Sequence, residues 1–146
     1  MRIVVQDAPF DFAAEAGVFA AGRKVSGAIV TFTGVVRDIE GGLEAMEIEH
    51  YPGMTEAALT EIAQEATARW ELEDALVIHR HGRLAPAEMI MMVATAARHR
   101  KNAFEAAEFL MDYLKSRAPF WKREITAKGA QWVAAKDEDE DALKRW

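Results

Sequence analysis

Apolar and polar positions along the chain follow two periods, which predict six strands and three helices. Strands are indicated by alternation with a period of two or by short continuous apolar runs. They are predicted at residues 2–6, 27–37, 43–51, 75–79, 89–97 and 131–134. Gly34 interrupts the alternation of the second strand, which predicts a bulge there. The strand at 89–97 is apolar almost throughout, so we expect it to be covered on both faces.

Apolar residues at helical spacing predict the first two helices. Asp11 is a suitable N-cap for a helix over residues 12–21, and Gly22 ends that helix. Thr55 is the predicted N-cap of a second helix, which extends to Trp70. Pro52 and Gly53 form the turn before it.

A third helix follows a basic cluster and carries an apolar stripe of Ala103, Ala107, Leu110 and Leu114, flanked by Phe104 and Met111. Asn102 can cap this helix and form a capping box with Glu105. Pro119 disfavours helical geometry at the residue before it, so the helix should end near Ser116 or Arg117. The residues after the proline, 120–124, are expected to leave it as an extended segment.

This order of elements predicts an α+β fold, with a single layer of three helices packed on a mixed or antiparallel sheet. The chain has 146 residues, of which 51% are hydrophobic. That length is enough to bury a core, so we expect one domain over residues 1–146.

Charge is distributed unevenly, although the net charge is −6. The run at 137–141 holds five acids, and the rest of the chain has 19 acidic and 18 basic residues. We therefore expect a solvated acidic tail on a nearly neutral body. Seven basic residues cluster between positions 98 and 123, namely Arg98, Arg100, Lys101, Lys115, Arg117, Lys122 and Arg123. Such a local cluster suits a small anionic ligand better than a nucleic acid, which needs a broad basic face.

The remaining composition limits the compartment and the chemistry. There are no cysteines, which excludes disulfides, thiolate metal sites and sulfur carried on the chain's own thiol. Asp7 interrupts the N-terminal apolar run too early for a signal peptide. The longest apolar run, at 89–97, is too short to span a bilayer. These features favour a cytoplasmic protein that binds no membrane.

Two lysines near the end of the third helix are candidates for chemistry. Lys115 lies in the last turn, and Lys122 follows Phe120 and Trp121. Aromatic neighbours reduce the hydration of an ammonium group, which lowers the lysine pKa and makes the amine a usable base or nucleophile. A purely structural interpretation is also open, because basic residues at a helix end commonly bind the last carbonyls.

The histidines do not predict a metal site. His79 and His81 are two residues apart, so in a strand both would face one side. No third ligand lies at a recognisable spacing, and we therefore expect no metal. His50 shares the apolar side of its strand and is interpreted as a half-buried structural residue.

Several sequence blocks together resemble the catalytic, large subunit of molybdopterin synthase. They are TFTGVVRD (31–38), IEHYPGM (48–54), IHRHGRL (78–84), FEAAEFLMDYLKSRAPFWKRE (104–124) and the C-terminal KRW. The blocks occur in the order of that family and span nearly the whole chain. The segment KSRAPFWKRE is specific, whereas TGVVRD alone would be weak. Ala87 stands where the family commonly has a glycine.

The resemblance implies an α/β-hammerhead fold, a homodimer and a known reaction. In that reaction, cyclic pyranopterin monophosphate gains two sulfurs as a dithiolene and becomes molybdopterin. The sulfur arrives as a thiocarboxylate on the C-terminal Gly-Gly of a small ubiquitin-like sulfur-carrier subunit, and the two kinds of subunit form a heterotetramer. No cofactor is implied.

The resemblance also places the substrate site. Lys115 and Lys122 are the implied catalytic residues. Lys115 is the better candidate for proton transfer because the helix end fixes it, and Lys122 for orientation and charge, but the sequence leaves open which lysine performs which step. The substrate-binding positions are Val35, Val36, Arg37, His99, Arg100, Lys115, Lys122, Arg123 and Glu124. Arg100 and His99 are suited to bind the substrate phosphate, and Arg37 adds positive charge.

Two other classes of function remain open. A nucleic-acid-binding module could use the basic residues together with stacking on Phe120 and Trp121. Alternatively, an interaction domain could have kept the fold and lost the reaction. The joint presence of the arginine, histidine and lysine positions of the family argues against the second class.

Overall fold

The computed structural model describes residues 1–134 and 136–146, which form eight strands and four α-helices. The strands are β1 (Arg2–Gln6), β2 (Ala28–Val35), β3 (Ala45–His50), β4 (Asp74–Arg80), β5 (Gly82–Leu84), β6 (Met89–Ala97), β7 (Phe120–Thr126) and β8 (Gly129–Trp132). The helices are α1 (Phe12–Ala20), α2 (Met54–Trp70), α3 (Arg100–Ser116) and α4 (Asp137–Ala142), and a 3₁₀ turn follows at Leu143–Arg145. Within these residues, no helix has the length and apolar character needed to cross a membrane.

The strands form two sheets of four. The first has the order β1-β4-β6-β2, with β1 parallel to β4 and the other pairs antiparallel. The second has the order β5-β3-β7-β8 and is antiparallel throughout. The α+β class is confirmed, but the single sheet under three helices is corrected to two sheets and four helices. The reason is that β3 pairs with β7 and β5 and not with the first sheet.

The core lies on both faces of the first sheet, as expected for the apolar run of β6. The larger cluster packs α2 and α3 against one face, with Phe109 and Leu110 among its fully buried members. The smaller cluster packs α1 against the other face through Phe19. Every residue of β6 except Met89 is buried. The predicted covering of this strand on both faces is therefore confirmed.

The C-terminal segment folds back onto α3. The predicted solvated tail is a short helix, α4, whose acids are mostly exposed. The Ser116 hydroxyl donates to the backbone oxygen of Asp139 at 2.9 Å. The Trp146 ring meets Phe109 edge-on at 5.7 Å, and its indole N–H donates to Asp112 at 2.7 Å. These contacts hold α4 close to the C-terminal end of α3.

The predicted capping box of α3 is wrong. The helix begins at Arg100, and the His99 side chain makes no capping hydrogen bond. The Asn102 amide donates to the backbone oxygen of Trp70 at 3.0 Å. Glu105 accepts a hydrogen bond from the Trp70 indole at 2.9 Å. Both side chains therefore link α3 to α2, because tertiary partners outcompete the local cap.

Thr55 is one residue inside α2 and is not its N-cap. Gly53 occupies the cap position with φ +84°, and Glu56 accepts from its N–H at 2.7 Å. The buried Thr55 hydroxyl accepts from the Tyr51 N–H at 2.9 Å and donates to the Pro119 oxygen at 3.1 Å. Thr55 thus connects the end of β3 to the loop that begins β7.

The predicted bulge in β2 is confirmed, since the register with β6 shifts between Gly34 and Val35. Beyond the bulge, the Val36 N–H donates to the Glu88 oxygen, and the Val36 oxygen accepts from the Ala87 N–H, each at 2.8 Å. Ala87 adopts a φ of +75°, which is unusual for a residue with a Cβ. These bonds direct the chain that follows the bulge.

Candidate active site

A cavity of about 550 Å³ opens where the end of α3, one face of β7 and the C-terminal segment meet. Five predicted site residues line it, namely Val35, Arg37, Lys115, Lys122 and Glu124. The other predicted positions, Val36, His99, Arg100 and Arg123, are not among its lining residues. His79, Lys136 and Asp139 line it as well, and sequence reasoning assigned none of these three to the site.

Alternation along β7 decides which of its residues reach the cavity. Phe120, Lys122 and Glu124 lie on one face of the strand and line the cavity. Arg123 lies on the opposite face, where its guanidinium forms an ion pair with Glu47 and stacks over Trp132. Its Nε is the one buried side-chain nitrogen or oxygen in residues 1–134 and 136–146 without a hydrogen-bond partner.

Lys122 has the environment that the sequence predicted for a reactive lysine. Burial lowers the pKa of the Lys122 ammonium, and the positive charge of Lys115 lowers it further, while Asp139 acts in the opposite direction. Strand β7 holds Lys122 in place, because the backbone of Lys122 pairs with that of Ile48 on β3. The cavity therefore contains an amine that is easier to deprotonate than an ordinary surface lysine.

Lys115 lies in the last turn of α3, and its exposed side chain lines the same cavity. The structural interpretation predicted a bond to a terminal helix carbonyl. In the part of the chain that the structure describes, the last turn is closed by backbone N–H groups, since those of Arg117 and Ala118 donate to the Tyr113 oxygen at 2.7 and 3.1 Å. The two lysines approach the cavity from different elements, which keeps two positive charges beside one another.

The segment after the bulge in β2 supplies a third cation. Val35 and Arg37 line the cavity, whereas Val36 between them is 2% exposed and belongs to the core. The Val36 N–H is already bonded to Glu88, so it is not a free donor. The bulge thus directs Arg37 toward the two lysines.

His99 and Arg100 lie far from this cavity within one chain. Both are exposed at the start of α3, and Lys115 is near its end. A rise of 1.5 Å per residue places Arg100 about 22 Å from Lys115 along the helix axis. A single chain therefore does not bring the predicted phosphate-binding pair to the lysines.

His79 is the least expected residue in the wall. It lies on β4 and is 4% exposed, and its ring stacks on Phe120 with centroids 3.7 Å apart. Burial lowers the pKa of His79 to about 3, and the charge of Lys122 adds to this effect. The IHRHGRL block contains it, but no local pattern indicates that β4 brings His79 against Phe120 of β7.

The second histidine of that pair has a different neighbour. His81 stacks on His50, with ring centroids 4.0 Å apart, and His50 is half-buried as predicted. His79 and His81 therefore do not share one environment. Residues 1–134 and 136–146 contain no cluster of three or more potential His, Cys, Asp or Glu metal ligands.

A profile of the MoaE protein family matches residues 5–117. This chain belongs to the MoaE family. The profile ends before β7, but longer matches include that strand. One relative, the molybdopterin synthase catalytic subunit of Cereibacter sphaeroides, is 72% identical over 146 residues and covers all of both chains. The predicted family resemblance is thus confirmed.

Two solved structures show the same fold. The molybdopterin biosynthesis MoaE protein of Burkholderia ambifaria has a TM-score of 0.85 and 50% identity, covering 99% of this chain and 97% of its own. The molybdopterin synthase of Staphylococcus aureus has a TM-score of 0.82 and 29% identity, covering 90% of this chain and 96% of its own. The two-sheet arrangement is therefore a MoaE-family fold.

Proposed function

We propose that this MoaE-family chain is the catalytic subunit of a molybdopterin synthase, acting in the cytoplasm as one domain over residues 1–146. It transfers sulfur from the thiocarboxylated C-terminus of a small sulfur-carrier subunit to cyclic pyranopterin monophosphate, which becomes molybdopterin. The observation that carries the proposal is the cavity shared by Arg37, Lys115 and Lys122. The chain has no cysteine, so it cannot carry the sulfur on a thiol of its own, which agrees with delivery by a partner.

The two lysines have different roles, one in proton transfer and the other in stabilising negative charge. Formation of a carbon–sulfur bond requires a group that moves protons and a group that stabilises developing negative charge. The sequence favoured Lys115 for the first role, but the lowered pKa of Lys122, caused first by burial, favours Lys122 as the proton acceptor. Lys115 is exposed and remains the better positive charge. Glu124 lines the same wall and orients the bound substrate.

The phosphate of the substrate is bound by residues from two copies of the chain. Arg37 lies in the cavity, whereas His99 and Arg100 are separated from it by the length of α3. In a homodimer, the start of α3 in one copy can complete the cavity of the other. An arginine fork is suited to bind a phosphate in a bidentate way. The dimer and two small subunits then form a heterotetramer.

The partner delivers its sulfur through an extended tail. Two terminal glycines have no Cβ, so they can enter a narrow passage that other residues would block. The tail must end close to Lys115 and Lys122 for its sulfur to reach the pterin. Arg123 acts indirectly, because its ion pair with Glu47 on β3 fixes the strand that carries Lys122.

The test is reconstitution from purified components. The chain is mixed with a thiocarboxylated carrier and cyclic pyranopterin monophosphate, and the dithiolene product is measured. We expect product only with the thiocarboxylate form, and a carrier ending in an ordinary carboxylate is the matched control. Absence of product with the thiocarboxylate form, under conditions where a homologous synthase is active, would overturn the proposal.

A further inference from the structure

The ring of His79 is held by a stacking contact and one hydrogen bond, which leave one nitrogen for another partner. One ring face stacks on Phe120, with the two planes inclined by 16°. Its Nδ1 lies 2.8 Å from the backbone oxygen of Arg80. The strand itself is fixed on both sides, since His79 pairs with Val5 of β1 and with Met91 of β6.

The tautomer of His79 follows from its partner. A carbonyl oxygen can only accept, so Nδ1 must carry the proton that it donates to Arg80. Burial keeps the ring neutral at ordinary pH, because it lowers the pKa of His79 to about 3. In a neutral ring with a protonated Nδ1, the other nitrogen, Nε2, is unprotonated and acts as an acceptor.

This acceptor is unused within the described residues. Nε2 makes no hydrogen bond in residues 1–134 and 136–146. It is also not among the fully buried polar side-chain atoms without a partner, of which these residues contain one, Arg123 Nε. Because His79 lines the cavity and its Nδ1 is already bonded to Arg80, Nε2 is the ring nitrogen left for a ligand there. The wall presents the cations Arg37, Lys115 and Lys122, together with Lys136 and the carboxylates of Glu124 and Asp139, and His79 adds a neutral acceptor to it.

We propose that His79 is a substrate-binding residue, whose Nε2 accepts a hydrogen bond from an N–H or O–H donor of the pterin. This assignment rests on the proposed function and adds a specificity contact to it. The three cations attract the anionic end of the substrate, whereas a fixed neutral acceptor selects for a donor on its uncharged ring system. His79 does not act as a base, because a ring that resists protonation takes up no proton near neutral pH.

The test compares pterin binding by two variants of the complex with a carboxylate-ended carrier, which cannot turn over. His79→Phe keeps an aromatic ring for the stack on Phe120 and removes the acceptor. We expect its Kd for cyclic pyranopterin monophosphate to rise about 5- to 30-fold. His79→Gln keeps an acceptor near the position of Nε2, and we expect its Kd to stay within about threefold of wild type.

Two further measurements separate this role from a structural one. The ratio of the two Kd values, His79→Phe to wild type, should be constant between about pH 5.5 and 8.5, since His79 stays neutral over that range. In the wild-type complex, the ¹⁵N signal of Nε2 should move upfield when pterin binds, which tests the bond without any variant. An unchanged Nε2 signal, or a folded His79→Phe variant with wild-type affinity, overturns the assignment.

The same experiments keep this inference separate from the proposed function. If the wild-type complex makes dithiolene while His79→Phe binds pterin normally, the role of His79 is wrong and the function stands. If the wild-type complex binds no pterin at all, both are overturned. If both substituted proteins fail to fold, the Nε2 signal of the wild type decides.

Discussion

Lys115 and Lys122 face one cavity from different elements, and the charge of Lys115 is second only to burial in lowering the pKa of Lys122. Like charges held close together disfavour protonation of the more buried one. If Lys122 accepts a proton during sulfur transfer, kcat/KM rises as pH increases through the pKa of Lys122. Removing the positive charge at position 115 should then raise that pKa and shift the rise to higher pH.

The measurement is the pH profile of kcat/KM for Lys115→Met and Lys115→Arg. We expect Lys115→Met to move the inflection upward, whereas Lys115→Arg keeps the charge and leaves it near the wild-type pH. Lys122→Arg should lose about 10²–10⁴-fold in turnover, because arginine does not release its proton. A similar loss in Lys115→Arg, with Lys122→Arg nearly normal, would return the proton transfer to Lys115 as the sequence favoured.

His79 should make the fold sensitive to acid. Its pKa is about 3 in the folded chain and 6.5 ordinarily, so the unfolded chain binds the extra proton between these values. Protonation of the unfolded chain therefore lowers the free energy of unfolding as pH falls below about 6.5. We expect a loss of about 2 kcal/mol between pH 7 and pH 5. Urea denaturation at these two pH values measures the change.

The matched control for this effect is His79→Phe, which cannot titrate. Its free energy of unfolding should fall less between pH 7 and pH 5 than that of the wild type, by about 2 kcal/mol. Equal pH dependence in the two proteins would mean that His79 is protonated in the folded state. That result would also contradict the neutral tautomer inferred from Arg80.

Much of the fold was predictable from local pattern. The first five predicted strands, the bulge at Gly34 and the apolar stripe of α3 follow from periods of two and 3.6 residues, and the structure confirms them. The pattern missed β5 and placed the last strand at 131–134, two residues after the start of β8. The caps of α2 and α3 were not predictable, because Thr55 and Asn102 bind backbone oxygens distant in sequence. The pairing of β3 with β7 is also a long-range choice, so local pattern could not reveal the second sheet.

In the candidate site, too, residues marked by local pattern were predictable and residues that depend on long-range contacts were not. Lys115, Lys122 and Arg37 were predicted from charge, aromatic neighbours and family resemblance, and one cavity joins them. His79 was missed because its role depends on Phe120, which is 41 positions away and stacks on its ring. Asp139 was assigned to a solvated tail, since no apolar stripe shows that α4 returns to Ser116.

Ala87 offers a test of backbone strain at the position where the family commonly has glycine. Its φ of +75° lies in the left-handed region, which costs a residue with a Cβ roughly 1–2 kcal/mol. We expect Ala87→Gly to raise the free energy of unfolding by about 0.5–1 kcal/mol, after the greater flexibility of glycine in the unfolded chain is subtracted. Chemical denaturation measures this difference.

The matched control for Ala87→Gly is the same substitution in ordinary helical geometry. Ala57 is an exposed residue within α2, where Ala57→Gly should lower the free energy of unfolding by about 0.5–1 kcal/mol. We therefore expect the change in the free energy of unfolding to be positive for Ala87→Gly and negative for Ala57→Gly. Destabilisation at both would show that Ala87 is not strained by its φ.

Sharing of the site between two copies predicts complementation between inactive variants. Arg100→Ala removes the phosphate-binding arginine, and Lys122→Met removes the proposed base, so each homodimer should be nearly inactive. A mixed dimer has one site with both defects and one site with neither. After random exchange of equal amounts, half the dimers are mixed, so activity should recover to about one quarter of wild type.

The control for complementation mixes two variants whose defects lie on the same side of the proposed site. Lys115→Met and Lys122→Met both alter the copy that supplies the cavity, so every site in their mixed dimers keeps one defect. This mixture should stay at the level of its components, measured as dithiolene formed after unfolding and joint refolding. If Arg100→Ala and Lys122→Met also fail to recover activity, although mass spectrometry shows mixed dimers, Arg100 does not act in the cavity of a second copy. The phosphate would then depend on Arg37 and the two lysines of a single chain.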